Sequence, residues 1–162
     1  LGLPSMSFLR VSCSAFTAAV LVGCASQPVV AIPKPSPSAR AEVLVFRESS
    51  FIAGGVSLAV GTNGAAFASL SNSDYVIADM SPGEQEIFVQ ARTAEPTRVK
   101  VKLQHGSRTC LRTSASPSTV AKVAVPIALI ATGYHFYLDE VPCPSPAELA
   151  KYKLLPVSYV AG

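Results

Sequence analysis

The residues with the greatest potential for chemistry in this sequence are four cysteines and two histidines, in a chain that has no tryptophan. A structural zinc site takes about four ligands, and general acid–base catalysis needs a base beside the reacting group. His135, Tyr137 and Asp139 share one strand face by period two, but only two of them are typical metal ligands. A hydrolase would need its base from His105 or His135. We therefore expect no catalytic residue, no metal site and no cofactor.

Cys24 lies at the end of an apolar leader. Met6 is the expected start, and Arg10 precedes the apolar residues 11–23, which is the anatomy of a signal peptide. This stretch is shorter than the roughly 20 apolar residues that cross a bilayer comfortably. The four residues at its end resemble the bacterial lipobox, and they are Leu21, Val22, Gly23 and Cys24.

The lipobox resemblance implies diacylglycerol transfer to the Cys24 sulfur, cleavage after Gly23 and acylation of the new amino group. Several acyl chains give stable membrane anchoring, whereas one alone is marginal. Ala25 is compatible with sorting to the outer membrane, so we expect the periplasmic face of that membrane. The alternatives are an ordinary cleaved signal with a coincidental cysteine, or an uncleaved anchor. Cys13 lies within the leader and is expected to be removed with it.

A proline-rich segment follows Cys24, with prolines at positions 28, 33, 35 and 37. Repeated proline favours an extended chain of about 3.1 Å per residue, so the segment predicts a spacer of about 40–45 Å. A proline-rich recognition motif is the alternative. We divide the chain into a signal peptide (1–23), a lipidated cysteine with its linker (24–39) and one domain (40–162).

Short β-type runs separated by turn residues fill the domain. The expected strands are residues 43–46, 56–60, 75–79, 86–91, 98–103, 109–113 and 134–141. The turns are residues 61–64 and 81–83, the latter with Pro82 and Gly83 in type II positions. A short helix is expected over residues 146–153, with Ser145 as N-cap. This pattern predicts an all-β protein, an antiparallel β-sandwich of about seven or eight short strands with a short C-terminal helix.

Two cysteines, Cys110 and Cys143, remain after the expected processing. An envelope compartment is oxidising, so we expect a disulfide between them. Closing a loop of about 34 residues would stabilise the domain by about 3–4 kcal/mol in the chain-entropy description. Two buried thiols too far apart to bond are the alternative.

The charge balance argues against nucleic acid as a partner. Thirteen basic and ten acidic residues give a net charge of +3, without any run of like charge. A nucleic-acid-binding domain would carry a concentrated basic patch.

Several motifs resemble those of the bacterial lipoproteins grouped as domain of unknown function 2846, over most of residues 40–141. The matching features are the strand end Val45-Phe46-Arg47, Gly54 and Gly55, the strand around Tyr75, the turn Met80-Ser81-Pro82-Gly83-Glu84, and Leu103, Gly106 and Cys110. The family's polar Asp-Gly-type turn is replaced here by Gly61-Thr62-Asn63-Gly64. The resemblance implies a prealbumin-like (transthyretin-like) sandwich in a lipoprotein, and it supplies no catalytic residues.

Residues 120–130 are apolar apart from Lys122, and the segment is too short to span a bilayer. One interpretation is a loop or short helix packed on the sandwich. The other is an exposed contact loop that touches lipid or a protein, because exposed apolar patches mark contact sites. Its contact residues would be Val125, Ile127, Leu129 and Ile130.

Arg98, Lys100 and Lys102, the cation stripe, alternate with Val99, Val101 and Leu103. The apolar residues are expected to face a core and the cations to face water. A solvated sheet face explains the stripe most simply, and contact with anionic headgroups or polysaccharide phosphates is the alternative.

Three features together predict a membrane-anchored envelope lipoprotein: the expected lipid anchor, the proline-rich linker and the lack of an expected catalytic residue. Its non-enzymatic sandwich would bind or scaffold another envelope component. One alternative is a carbohydrate or peptidoglycan binder that stacks sugars on Tyr75, Tyr134 or Tyr137, and another is an accessory lipoprotein of a secretion system. The expected partners are the membrane, through the lipid, and an envelope protein or cell-wall polysaccharide.

Overall fold

The domain is built from β-strands, as its sequence pattern predicts. A computed structural model describes residues 27–50, 53–92, 94–116 and 134–161. The elements within these ranges are β1 (Ile32–Pro33), β2 (Ala41–Arg47), β3 (Leu58–Thr62), β4 (Ala65–Leu70), β5 (Asp74–Met80), β6 (Gly83–Ala91), β7 (Thr97–Leu103), β8 (Arg108–Ala115), β9 (Phe136–Val141), α1 (Pro146–Leu149), β10 (Lys153–Leu155) and β11 (Tyr159–Val160). The fold class is confirmed, with eleven strands in the described ranges where seven or eight were expected.

The strands form two main sheets and a two-stranded ribbon. The orders are β10-β5-β2-β8-β9, β4-β3-β6-β7 and β1-β11. Most neighbours are antiparallel, as predicted, but three pairs are parallel: β2 with β8, β5 with β10 and β1 with β11. Between β2 and β8 the chain crosses twice to the four-stranded sheet and back, through β3–β4 and through β6–β7, and parallel strands need such crossover connections.

The inner faces of the two main sheets share one core. Val43 and Val45 from the five-stranded sheet belong to the same fully buried cluster as Val60, Phe67 and Val89 from the other sheet. Burial of a side chain of this size stabilises by about 1.5–3 kcal/mol. The shared core therefore holds the sheets face to face.

Strand β2 is covered on both faces. Leu44 and Phe46 point away from the main core into a second cluster with Cys110, against which Leu149 and Tyr152 pack. The Phe46 and Tyr152 rings meet edge to face, with centroids 5.8 Å apart. An unbroken apolar run is typical of a strand buried on both sides, and the segment after β9 supplies the second cover.

Helix α1 ends four residues earlier than the sequence predicted. Its start is confirmed: the Ser145 side chain accepts a hydrogen bond from the Glu148 amide, and the Glu148 carboxylate accepts one from the Ser145 amide. Lys153, expected in the helix, instead begins β10, which pairs with β5 from Asp74 onward. The edge of β5 has backbone N–H and C=O groups that pair with Lys153–Leu155, and a longer helix would not provide these partners.

The β3–β4 hairpin turns at Asn63 and Gly64, whose φ angles are 51° and 77°. Positive φ at both central residues is the requirement of a type I′ turn. Gly61, also expected in the turn, lies within β3, where a Cβ would overlap the Phe88 ring and the Ala65 carbonyl oxygen. Glycine is needed there for close packing rather than for turning.

The predicted linker is partly folded onto the domain. The Val30 amide donates to the Ala66 carbonyl at 2.8 Å, and the Ile32 amide donates to the Ser158 carbonyl at 3.0 Å. Ile32 is buried in the main core. Backbone pairing and apolar burial hold residues 30–34 in place, so the free spacer is much shorter than the predicted 40–45 Å.

Candidate functional site

Cys110 and Cys143 form the predicted disulfide, with Cα atoms 5.1 Å apart. Cys110 lies on β8 and is buried, whereas Cys143 is exposed in the segment between β9 and α1. The bond fixes this segment over the outer face of the five-stranded sheet. Disulfides persist in oxidising compartments, so the bond indicates an extracytoplasmic environment.

Glu42 on β2 is held between two arginines. Its Oε1 lies 2.5 Å from Arg40 Nη2, and its Oε2 lies 2.6 Å from Arg108 Nη2 and 2.7 Å from Arg108 Nε. Arg40 Nε is also 3.0 Å from Asp79 Oδ1. Hydrogen bonding from Arg40, followed by Arg108, lowers the pKa of the Glu42 carboxyl, although partial burial opposes the shift. We call Arg40, Glu42, Asp79 and Arg108 the ion network.

A depression of about 600 Å³ adjoins the ion network. The rest of its wall is formed by Pro37, Ala41, His105, Gly106, Ser107 and Cys143. Arg40 and Arg108 are half-exposed, and each engages the carboxylates through two of its three guanidinium nitrogens. Guanidinium N–H groups are strong donors to carboxylate and phosphate, so the remaining nitrogen of each arginine is the group on this wall that can bind an anion, although the two cations and two carboxylates of the ion network balance in charge.

Replacing Glu42 by Gln should reduce stability near neutral pH and have little effect in acid. The pKa of Glu42 in the folded protein lies below its usual value of 4.5. Its contribution is therefore complete above that value and is lost as pH falls through the folded pKa. We expect a loss of about 1 kcal/mol at pH 7, because the arginines are half-exposed. Urea unfolding at a series of pH values measures it.

The matched control is Asp139→Asn, which removes an exposed carboxylate from β9. It should change the free energy of unfolding by less than about 0.5 kcal/mol at either pH. An effect of Glu42→Gln that is equal at pH 7 and pH 3 would contradict the assigned ion network.

The two histidines lie at opposite ends of β8. His105 is in the turn before this strand, and the carbonyl of His135 accepts from the Ser116 amide just after it. The eight-residue strand alone spans roughly 23 Å. The two histidine side chains are therefore too far apart to act on the same substrate atom. In the ranges that the structure describes, no three His, Cys, Asp or Glu side chains are grouped to hold a metal ion.

The three tyrosines proposed for sugar stacking do not form one platform. Tyr75 is half-buried against the second cluster, and Tyr134 packs on the main core. Tyr137 on β9 is 50% exposed. Stacking surfaces that bind sugars need accessible rings, and of these three residues Tyr137 alone offers one.

The cation stripe occupies the outer face of β7, as predicted. Val101 and Leu103 are buried in the core. Arg98 Nε lies 3.2 Å from Glu86 Oε1, and Lys100 Nζ lies 3.0 Å from Glu84 Oε1 on the neighbouring β6. The stripe therefore lies on the outer face of the sheet, where two of its cations form cross-strand ion pairs.

Arg47 is a buried cation whose role the sequence pattern did not indicate. It is 2% exposed at the end of β2. Its Nη2 donates to the Ala53 carbonyl at 2.6 Å, and its Nη1 donates to the Val56 and Leu70 carbonyls. Its guanidinium carbon lies 5.1 Å from the centroid of the Phe136 ring. Arg47 thus joins the loop after β2 to both sheets.

Burial lowers the pKa of the Arg47 guanidinium, and the negative charge of Asp74 opposes that shift. Arginine nevertheless remains charged at neutral pH. Gly54 lies in the loop that Arg47 holds, and a Cβ there would come within 2.7 Å of the Ser50 carbonyl oxygen. The Arg47 and Gly54 motifs are therefore parts of one structural unit.

Two predicted sites fall outside the described residues. They are the lipobox (Leu21, Val22, Gly23 and Cys24) and the contact loop (Val125, Ile127, Leu129 and Ile130). No helix in the described ranges has the length and apolar character needed to cross a membrane.

Fold and disulfide together define a disulfide-bonded β-sandwich domain. No protein-family model, curated protein or solved structure matches the chain.

Proposed function

We propose that this protein is an exported lipoprotein whose β-sandwich binds or scaffolds another envelope component. The Cys110–Cys143 disulfide carries the proposal, because such bonds persist where the compartment is oxidising. The leader and the lipobox residues 21–24 add the membrane anchor on Cys24. The resemblance to the domain of unknown function 2846 lipoproteins supports the same assignment, and the outer membrane is its proposed location.

A binding role is favoured over catalysis by the chemistry of the described surface. His105 and His135 are separated by the length of β8, so neither assists the other. The depression beside the ion network has guanidinium groups on its wall, and the Ser107 hydroxyl on the same wall donates to the Gln104 carbonyl at 2.8 Å rather than to a histidine. Guanidinium groups fix an anionic partner without requiring chemistry.

Replacing Cys24 by Ala tests the anchor. The wild-type protein should fractionate with membranes and gain the mass of its acyl chains, because the thiol accepts the diacylglycerol. The Cys24→Ala variant should lose both properties. Intact mass spectrometry and cell fractionation measure them, and Cys13→Ala is the matched control because it removes a leader thiol.

A Cys24→Ala protein that stays in the membrane fraction, with no acyl mass on the wild type, would refute the anchor. The binding role is tested separately with a photo-crosslinking residue at His105, on the rim of the depression. One envelope protein captured repeatedly, and lost when Arg108 is changed to Ala, is the expected result. Capture of cell-wall glycan instead would replace the scaffold with the carbohydrate-binding alternative.

A further inference from the structure

We infer that the outer face of the four-stranded sheet is turned toward lipid headgroups when the protein is anchored. This inference rests on the proposed lipid at Cys24. It concerns which surface of the sandwich meets the bilayer, and the observation behind it is the path of the chain just after the anchor.

The described chain begins over that outer face. The side-chain amide of Gln27 donates to the side-chain carbonyl of Gln90 on β6. Gln90 points outward, because its neighbours Val89 and Ala91 are both buried in the core. From there the chain reaches the edge of the same sheet, where the Val30 amide binds β4. Gln27 therefore lies on the side of the molecule away from α1 and the disulfide.

Cys24 is three residues from Gln27, a separation of at most about 11 Å for a fully extended chain. Two packed sheets are already about 10 Å apart, before side chains are counted on the outer faces. An acyl group on Cys24 therefore reaches a bilayer on the Gln27 side readily, whereas the outer face of the five-stranded sheet is beyond its reach. Because residues 30–34 of the linker are bound to the domain, the chain that remains before them is too short for the domain to rotate and present its other face to the bilayer.

The same face has the chemistry of a headgroup contact. The cation stripe lies on it, since Arg98 pairs in register with Phe88 and Lys100 with Glu86. Three cations against the two carboxylates of the ion pairs leave an excess of one positive charge there. In the adjoining N-terminal segment Val29 and Val30 are 51% and 41% exposed. Cations favour anionic headgroups, and small apolar side chains suit the boundary beneath them.

The test uses the lipidated protein in vesicles of phosphatidylethanolamine and phosphatidylglycerol. A benzoylphenylalanine probe replaces Lys100 in one sample and, as matched control, Tyr137 in another. Both positions are solvent-exposed on outer strand faces, one on each sheet. We expect at least tenfold more lipid adduct from position 100 than from position 137. Circular dichroism checks that both variants are folded.

Equal yields, a higher yield at position 137, or no adduct from either probe on vesicle-bound protein would overturn the inference while leaving the anchor intact. Intact mass and flotation separate this from failure of the proposed function. A protein without acyl mass that does not float with the vesicles refutes the anchor at Cys24, and the orientation with it.

Discussion

Replacing Arg47 by Met should destabilise the domain by about 3–4 kcal/mol. The substitution keeps much of the aliphatic volume but removes the donors to the carbonyls of Ala53, Val56 and Leu70. Buried acceptors left without donors cost about 1–3 kcal/mol each, and partial relaxation of the loop reduces the total. Chemical unfolding in guanidinium chloride, followed by circular dichroism, measures the change.

Arg98→Met is the matched control, because it removes the same side chain from an exposed position. Arg98 is about half-exposed, and its ion pair with Glu86 should contribute less than about 1 kcal/mol. The assignment of Arg47 as the link between loop and sheets predicts a large difference between the two variants. Similar losses for both would contradict it.

Removing the disulfide should cost about 3–4 kcal/mol. The bond joins residues 33 positions apart, and the chain-entropy description gives this value for a loop of that size. The double variant Cys110→Ala, Cys143→Ala removes the bond without leaving a reactive thiol. Urea unfolding of both proteins, with and without reductant, measures the effect.

Reductant should destabilise the wild-type protein and leave the stability of the double variant unchanged. The double variant therefore controls for any effect of the reductant that does not involve this bond. The loss should be seen first in the segment whose Leu149 and Tyr152 cover Leu44 and Phe46, because the bond fixes that segment. Reductant that lowers the stability of both proteins equally would show that the effect is not on this bond.

Local sequence patterns predicted the elements that are determined by residues close together in the sequence. Strict alternation identified β7, and Pro82-Gly83 marked the junction between β5 and β6, although Gly83, with a φ of 121°, is the first residue of β6 rather than part of a separate turn. The compartment argument paired Cys110 with Cys143. In each case the physical cause can be read from a few neighbouring residues or from the leader. The causes are the side-chain period for β7, the turn-forming residues for Pro82-Gly83 and the redox environment for the disulfide.

Strand β4 was missed because its sequence carries a weak signal. Ala65–Leu70 is rich in alanine, which has low β propensity, and it becomes a strand by pairing with β3. The short strands β1, β10 and β11 likewise have no pattern of their own. Each of them forms by pairing with a strand that is distant in the sequence. The local periodicity of side chains does not reveal such a partner.

The candidate site was harder to predict than the fold. Arg40, Glu42, Asp79 and Arg108 come from three separate parts of the chain, and the β2–β8 and β2–β5 registers bring them together. In the sequence Arg47 stands out only as part of a motif, since an arginine at a strand end usually faces water. Its burial depends on a loop that returns over it.

The ribbon formed by β1 and β11 also sets an order of assembly. Ile32 pairs with Tyr159, so the first and last described strands meet across almost the whole described chain. The Tyr159 hydroxyl also accepts from the Asp79 amide at 2.8 Å, which ties the ribbon to β5. Closing so long a loop is entropically costly and slow compared with forming a hairpin. A chain that emerges from its N-terminus would therefore complete the two sheets first, and the core beside Ile32 would close only when β11 pairs with β1.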